Sequence, residues 1–572
     1  MSVLEKNQLA PFRVSTLSRA LLVVEVTLPI LLLVLGIYHG FLQTLYRAGI
    51  IQSSSFLGLN YYQGLTLHGV INAVVLTTFF GVAFGNALMQ YYLQRPLFPS
   101  VHLLSTGMMV IGTLLAAVPM LLGWADVLYT FYPPLKAHPL FYIGAALLVV
   151  GSWVALFGWL PLVARFQKEN PTQPLPLAVL GILVTFLIWF LCTIPLAIEV
   201  LFMLIPWSLG WVDTINIPLA RTLFWFFGHP LVYFWLLPTY VVYYVMLPKL
   251  AGGKLYSDYA ARVAFLLFLL FSIPVGLHHQ YTEPGFDRFW KGVHAMLTFA
   301  VAIPSFLTAF TVAASLEHAG RQRGAQGLFD WVARLPWFDA ERPLVAYSLA
   351  GLLIFIFGGI TGIVNASYNL NQAIHNTGFI SGHFHMTVGG PVFLTILALS
   401  LELFSQLTGK PIRLRGWNVA VPYLWMLGIF LFSPAMMYGG LLGQPRRTNL
   451  GLSYLDPNSP HFRADWVPTA YLTGIGAAVM TLAFVIYLLV WVATLAGRPA
   501  TEGGQLSFPT AESLHPVADT RSVVMRLRPW LVISLLLIGV SYWAPLRQAL
   551  RTPQGAPPYA PDNPAPLVQR RP

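Results

Sequence analysis

The chain has 572 residues, of which 57% are hydrophobic and 9% charged, and a formal net charge of +12. A soluble domain carries about 25% charged residues, so the composition excludes a string of soluble domains and points to a polytopic membrane protein, in line with a mean hydropathy of +0.69. The lone Cys192 excludes disulfides and thiolate clusters within the chain and leaves histidine and oxygen ligands for any transition metal.

Thirteen apolar segments are long enough to cross a bilayer, which takes about 20 residues. They are 20–45, 60–91, 101–123, 139–163, 176–206, 218–248, 260–281, 290–316, 344–370, 379–407, 417–442, 467–496 and 524–546. Residues 1–19 are polar and carry no cleavable signal, so they read as a cytoplasmic N-terminal tail ahead of a transmembrane domain at 20–546, with an outer-side C-terminal tail at 547–572. Most Lys and Arg side chains, Arg95, Arg165, Lys249, Arg321 and Arg415 among them, fall on the N-terminal side of the membrane. By the positive-inside rule the N-terminus is cytoplasmic and the C-terminus outside. The basic balance therefore reports topology, and no nucleic acid partner is expected.

Span 1 carries Glu25 and His39, expected as a helix-end acid and an interfacial histidine. Span 2 opens with Gly64-Leu65-Thr66-Leu67-His68-Gly69, where the glycines admit either a flat macrocycle or a neighbouring helix. The aromatic, proline-rich loop from Tyr129 to Lys136 reads as an interfacial belt. Glu199, near the end of span 5, is expected to be paired or interfacial.

Span 6 contains Gly228-His229-Pro230-Leu231-Val232-Tyr233. Its proline frees a backbone carbonyl and bends the axis, while His229 and Tyr233, at i and i+4, share a face. Tyr240 and Tyr244 continue that stripe, either as packing or as a polar path. Span 7 ends in His278-His279. Each imidazole needs a polar partner in a medium that offers none, and a metal supplies it. With His229 they make a trigonal site of the kind copper accepts.

Ser305, Thr308 and Thr311 repeat at i, i+3 and i+6 in span 8. Such hydroxyls either bond back to their own helix or carry a chain of protons. Span 9 ends at Asn365, and the connection beyond it holds Asn371, His375 and Asn376 without a charged residue. Span 10 opens with Gly382-His383-Phe384-His385. Positions i and i+2 of a helix project about 200° apart, so these rings face opposite ways and suit two separate cofactors, with a hydrogen-bonded core pair as the competing reading. All six histidines fall in the outer half of their spans. Arg446 and Arg447 break the positive-inside trend and suggest an anionic group nearby. Residues 496–516 read as a loop, and the stretch from Thr552 as a tail without its own fold.

Together His68, the Gly-His-Pro-x-x-Tyr run at 228–233, the His278-His279 pair and His383-Phe384-His385 resemble the catalytic subunit of the haem-copper oxygen reductases, most closely the B-type branch. The resemblance implies an all-α polytopic membrane protein of 13 transmembrane helices, a twelve-helix core in three pseudo-symmetric arcs plus one extra helix. It implies that His68 and His385 bind the iron of a low-spin, b-type haem, that His383 binds the iron of a high-spin, a-type haem, and that His229, His278 and His279 hold one copper ion. Tyr233 would be linked to His229 as electron and proton donor. Asn365, Asn371, His375, Arg446 and Arg447 would line the propionate side, and Tyr240, Tyr244, Ser305, Thr308 and Thr311 the proton path. The implied activity is that of cytochrome c oxidase: O2 is reduced to water in a prokaryotic plasma membrane, with proton uptake and pumping. Electrons would come from a c-type cytochrome through a second subunit carrying a binuclear copper centre, for which this chain lacks the cysteines.

Three departures stand out. Leu231 stands where the large A branch has Glu, and residues 92–100 lack that branch's uptake acid, so a single proton path is expected. Asn371 stands where close B-type relatives carry Asp. A nitric oxide reductase would share the six histidines but would use a non-haem iron with buried glutamates and lack the tyrosine of span 6. A secondary transporter would instead show paired repeats around a midplane site, and none is visible.

Overall fold

The structure, a computed structural model, describes residues 9–51, 59–448, 456–517, 525–551 and 555–556; the start of the predicted N-terminal tail and most of the predicted C-terminal tail lie outside them. Its long helices are α1 (Thr16–Arg47), α2 (Tyr61–Leu93), α3 (Pro99–Leu121), α4 (Pro139–Glu169), α5 (Leu177–Ser208), α6 (Ile217–Leu250), α8 (Arg288–Gln322), α9 (Pro343–Ala366), α10 (Gly378–Thr408), α11 (Arg415–Leu441), α12 (Ala464–Ala496) and α13 (Leu527–Arg551). These are the 12 helices, among the described residues, long and apolar enough to cross a membrane. Helices dominate because a bilayer core offers no outside partner for backbone N–H and C=O groups.

The chain punctuates these helices with polar caps. The Ser15 side chain accepts from Ser18 N–H at the start of α1, Asn60 and Gln63 form a capping box on α2, and Asn216 caps α6. Proline occupies the first turn of α3, α4, α6 and α9, where its missing N–H costs nothing.

The seventh expected span, 260–281, is not one helix. It is a 14-residue α7 (Asp258–Phe271), then a break, then a 3-10 turn from Gly276 to Gln280. Pro274, which has no N–H to donate, sits in that break. This crossing is therefore interrupted at the point where His278 and His279 emerge.

α2, α6 and α10, four helices apart in order, carry His68, His229 and the pair His383 and His385. Together with α5 they are the most enclosed, with 78–89% of their apolar windows buried, against 22–39% for α1, α3, α8 and α13. Each of α2, α6 and α10 contains a π-helical turn, Ile71–Val75, Val242–Met246 and Val388–Val392, a distortion that often accompanies functional sites. Short strand pairs tie the α12–α13 connection back to the body, Phe12–Arg13 with Gln505–Leu506 and Leu255–Ser257 with Ser513–His515.

Two expectations for α1 are corrected. Glu25 and His39 are both fully buried. Glu25 is no helix-end acid: it accepts from Thr106 Oγ1 at 2.6 Å and from Asn86 Nδ2 at 3.2 Å, and its Oε1 lies 3.1 Å from His102 Nε2. Glu199 is buried as well, but neither carboxylate oxygen has a hydrogen-bond partner among the described residues.

α3 and α4 cross at two glycines. A Cβ on Gly144 would lie 2.5 Å from the Ala116 nitrogen and from the Gly112 carbonyl oxygen, whereas one on Gly107 would meet nothing within 4 Å. Gly144→Ala is therefore expected to cost about 1–3 kcal/mol through overpacking and to lower the thermal-unfolding midpoint, while Gly107→Ala leaves it in place.

Candidate metal and cofactor centre

His229 sits at the joint between two helical halves of α6, with Pro230 opening the second half. The bend delivers its ring to the 3-10 turn that carries His278 and His279. The three histidines offer ligand atoms that all lie within 4.8 Å of one another, and His229 Nδ1 stands 3.4 Å from His279 Nε2. Thr298 Oγ1 donates to the His294 carbonyl, so at 3.0 Å it accepts from His278 Nδ1–H and leaves the other ring nitrogen as a ligand. Trp225 stacks on His279 at 3.8 Å, fixing the ring plane. Tyr233 lies one turn below His229, with ring centroids 5.0 Å apart.

The histidines of α2 and α10 obey the same rule. His68 Nδ1 reaches the Gly36 carbonyl at 2.8 Å and His385 Nδ1 the Ser381 carbonyl at 2.8 Å. A carbonyl accepts only, so both Nδ1 atoms carry the proton and both Nε2 atoms are free to ligate. The two rings lie nearly parallel, 16° apart, with centroids 6.2 Å apart. That gap is too wide for ring contact and matches one metal ion with about 2 Å bonds to a nitrogen on each side. His383 turns the other way, as expected. Its Nδ1 is 2.9 Å from Thr361 Oγ1, which itself donates to the Gly358 carbonyl.

Space is made on α1. A Cβ at Gly40 would sit 2.5 Å from His68 Nδ1. The glycines flanking His68 serve helix approach instead: Gly64 abuts Gln43 and His39, and Gly69 abuts Tyr129. The predicted interfacial belt also turns inward. Tyr129 packs on Phe384, and the Arg447 guanidinium lies over Tyr129 and Tyr132.

All of this opens on one cavity of about 1020 Å³, which His68, His229, Tyr233, His278, His279, His383 and His385 line together. Asn365, Asn371, His375, Arg446 and Arg447 line it too and are linked to one another or to their neighbours. Asn371 Nδ2 donates to the Asn365 carbonyl at 2.8 Å, His375 Nδ1 is 3.1 Å from Asn371 Oδ1, and Arg446 N–H donates to the Asn376 carbonyl. Burial, with Arg447 beside it, lowers the Arg446 guanidinium to about 9, and its buried Nε has no partner. An anion belongs there. The cavity's wall, the free ring nitrogens and this cationic rim fit two haems and a copper ion. Among the described residues, no Asp or Glu lines the cavity.

The hydroxyl stripe of α8 is partly joined. Tyr244 donates to Thr308 Oγ1 at 2.6 Å, and Tyr240, Ser305 and Thr308 reach the cavity. Ser305, Thr308 and Thr311 each also bond back to a carbonyl four residues earlier, as the back-bonding reading of the stripe expects. Thr311 is not bonded to the tyrosines. Thr298, Thr361 and Trp225 escaped sequence reasoning because a lone hydroxyl or indole in an apolar helix carries no spacing signal.

A family model described as Cytochrome C and Quinol oxidase polypeptide I matches residues 21–479. The chain is 44% identical to cytochrome c oxidase subunit 1 of Thermus thermophilus over 497 residues, 86% of each chain. It is 26% identical to the alternative cytochrome c oxidase subunit 1 of Bradyrhizobium diazoefficiens over 473 residues, 76% of each. A solved structure described as a heme-copper terminal oxidase dimer superimposes with a TM-score of 0.94, at 50% identity and 97% coverage of both chains.

If His68 and His385 share one iron, His68→Ala should halve the haem extracted from the purified chain and leave copper in place. Loss of both metals together would contradict separate centres.

Proposed function

The chain belongs to the cytochrome c and quinol oxidase polypeptide I family, a haem-copper terminal oxidase subunit that reduces O2 to water and couples this to proton uptake and pumping, and from that premise we propose how its residues divide the work. His68 and His385 hold a low-spin haem, His383 a high-spin haem, and His229, His278 and His279 the copper. When bound, the high-spin haem and copper supply the site where O2 binds and is split by electrons delivered in quick succession. The single observation that carries this reading is one cavity lined together by six imidazoles from α2, α6, α10 and the 3-10 turn, three of which bring ligand atoms within 4.8 Å of one another.

The protein's own share is orientation, exclusion of water and proton supply. Thr298, Thr361 and the Gly36 and Ser381 carbonyls hold four rings in one tautomer each. Tyr233 is the phenol closest to the copper ligands on its own helix, and His229 Nε2, buried without a partner, is the atom left for a link to it. Protons reach Tyr233 through Tyr244 and Thr308, then Ser305 and Tyr240, with Thr311 on the approach. Leu231 in place of an acid leaves this as the single path. Asn371 bonds His375 without titrating, so the propionate side uses Arg446, Arg447 and the bound groups for charge.

We assign the chain to the B-type branch, with a b-type low-spin and an a-type high-spin haem. The likeness to cytochrome c oxidase subunits supports electron delivery from a c-type cytochrome, and because this chain has no cysteine other than Cys192, a binuclear copper centre would sit on a second subunit. The placement of Lys and Arg supports an N-terminus in the cytoplasm and a C-terminus outside, in a prokaryotic plasma membrane.

The test is O2 uptake by the purified complex with a reduced c-type cytochrome, nitric oxide being the comparison substrate. O2 uptake is expected to dominate; preference for nitric oxide would overturn the assignment. Tyr233→Phe should cut O2 uptake by about 10²-fold or more with haem and copper content unchanged. Thr308→Val should slow turnover, again at full metal content, because the Tyr244 hydroxyl loses its acceptor; parent-like turnover would remove Thr308 from the path.

A further inference from the structure

α13 lies beyond the twelve-helix core and buries little of itself, yet one of its side chains reaches the copper turn. Tyr542 is 2% exposed. Its hydroxyl donates to the Ile273 carbonyl at 3.1 Å and accepts from Gly276 N–H at 2.9 Å. Those two backbone groups flank Pro274 and Val275, the break that ends α7 and starts the 3-10 turn. The Ile273 carbonyl accepts from Val275 N–H at 2.8 Å, but no helical bond serves Gly276 N–H across a proline and an apolar interior offers no water, so the phenol pairs that N–H and ties it to the carbonyl.

The surroundings leave the turn little room. A Cβ at Gly276 would overlap both the Trp225 carbonyl and the Tyr542 hydroxyl. The Tyr542 ring stacks on Phe226 at 3.9 Å, three residues before His229, and Trp225 covers His279. His294, on α8, adds a second strut between α13 and the turn: its Nε2 donates to the Ser541 carbonyl at 3.1 Å, and its Nδ1 accepts from Leu277 N–H at 3.4 Å.

We propose that Tyr542 is a positioning residue for the copper pair His278 and His279, its hydroxyl holding the helix break at the angle that aims both rings at His229. This rests on the reading that these three histidines hold copper. Without the hydroxyl, Gly276 N–H loses its acceptor and the Ile273 carbonyl keeps only its bond from Val275 N–H at 2.8 Å, and the turn relaxes by rotating the two imidazoles away from a common point. Groups that orient metal ligands typically change metal affinity by about 10–100-fold when removed.

The experiment follows copper loss from the purified complex in excess chelator, with the low-spin haem spectrum recorded alongside as a measure of intact fold. Tyr542→Phe keeps the ring on Phe226 and removes only the hydroxyl; copper should leave about tenfold faster with the haem spectrum unchanged. Ser534→Ala removes a 3.0 Å bond from the same helix to the Leu269 carbonyl, away from the break, and should leave copper retention at the parent rate. If Tyr542→Phe keeps copper as the parent does, or if Ser534→Ala loses it equally fast, the phenol has no specific positioning role and the proposal falls. His278→Ala separates the two claims: retention of copper in that variant would overturn the copper reading itself, whatever Tyr542 does.

Discussion

An imidazole inside a bilayer has no water to bond, so each of its two ring nitrogens must find a partner in the protein or in something the protein holds. Four of the six histidines here spend Nδ1 on a protein oxygen: Gly36 O, Ser381 O, Thr298 Oγ1 and Thr361 Oγ1. That choice fixes the tautomer and leaves the opposite nitrogen unprotonated, facing a cavity that all six share. A polar atom in that position is costly unless a metal completes it. The rest of the architecture follows from placing those rings. Gly40 clears room for His68, Pro230 bends α6 at His229, and the break after α7 turns the His278 and His279 pair inward.

The three ligand-bearing helices are enclosed by their neighbours and distorted by π-turns, features they share with α5 and its π-turn at Val200–Leu204. Enclosure excludes water from the reaction, and distortion lets a side chain leave a helix at an angle that regular geometry forbids. Around them, lipid-facing helices are simpler and carry their apolar side chains outward. α13 is the exception, since its outer face looks like a lipid-facing span while its inner face supports the bend at Gly276.

Much of this was legible in the chain. Hydrophobic runs long enough to span a bilayer mark the helices directly, and histidine is rare enough in such runs that His68, Gly-His-Pro at 228–230, His278-His279 and His383-Phe384-His385 stand out. The 200° offset of His383 and His385 matches the way one ring faces Thr361 and the other faces His68. What stayed hidden depends on tertiary neighbours. Glu25 reads as a helix-end acid until Asn86, Thr106 and His102 meet it from other helices. The loop at Tyr129 reads as a belt because its aromatic content suits an interface as well as it suits the lid over Phe384. The break in span 7 hinges on one proline in an apolar run, which sequence pattern alone does not distinguish from a mild kink. The link between Tyr542 and Gly276 joins positions 266 residues apart, and no local pattern reports it.

The central claim is that one cavity in this chain carries two haem irons and one copper. The most direct measurement is the ratio of extractable haem to copper in the purified subunit, after correction for any copper in a partner subunit. Two haems to one copper is the expected result. A single haem, or two haems with iron rather than copper as the third metal, would contradict it.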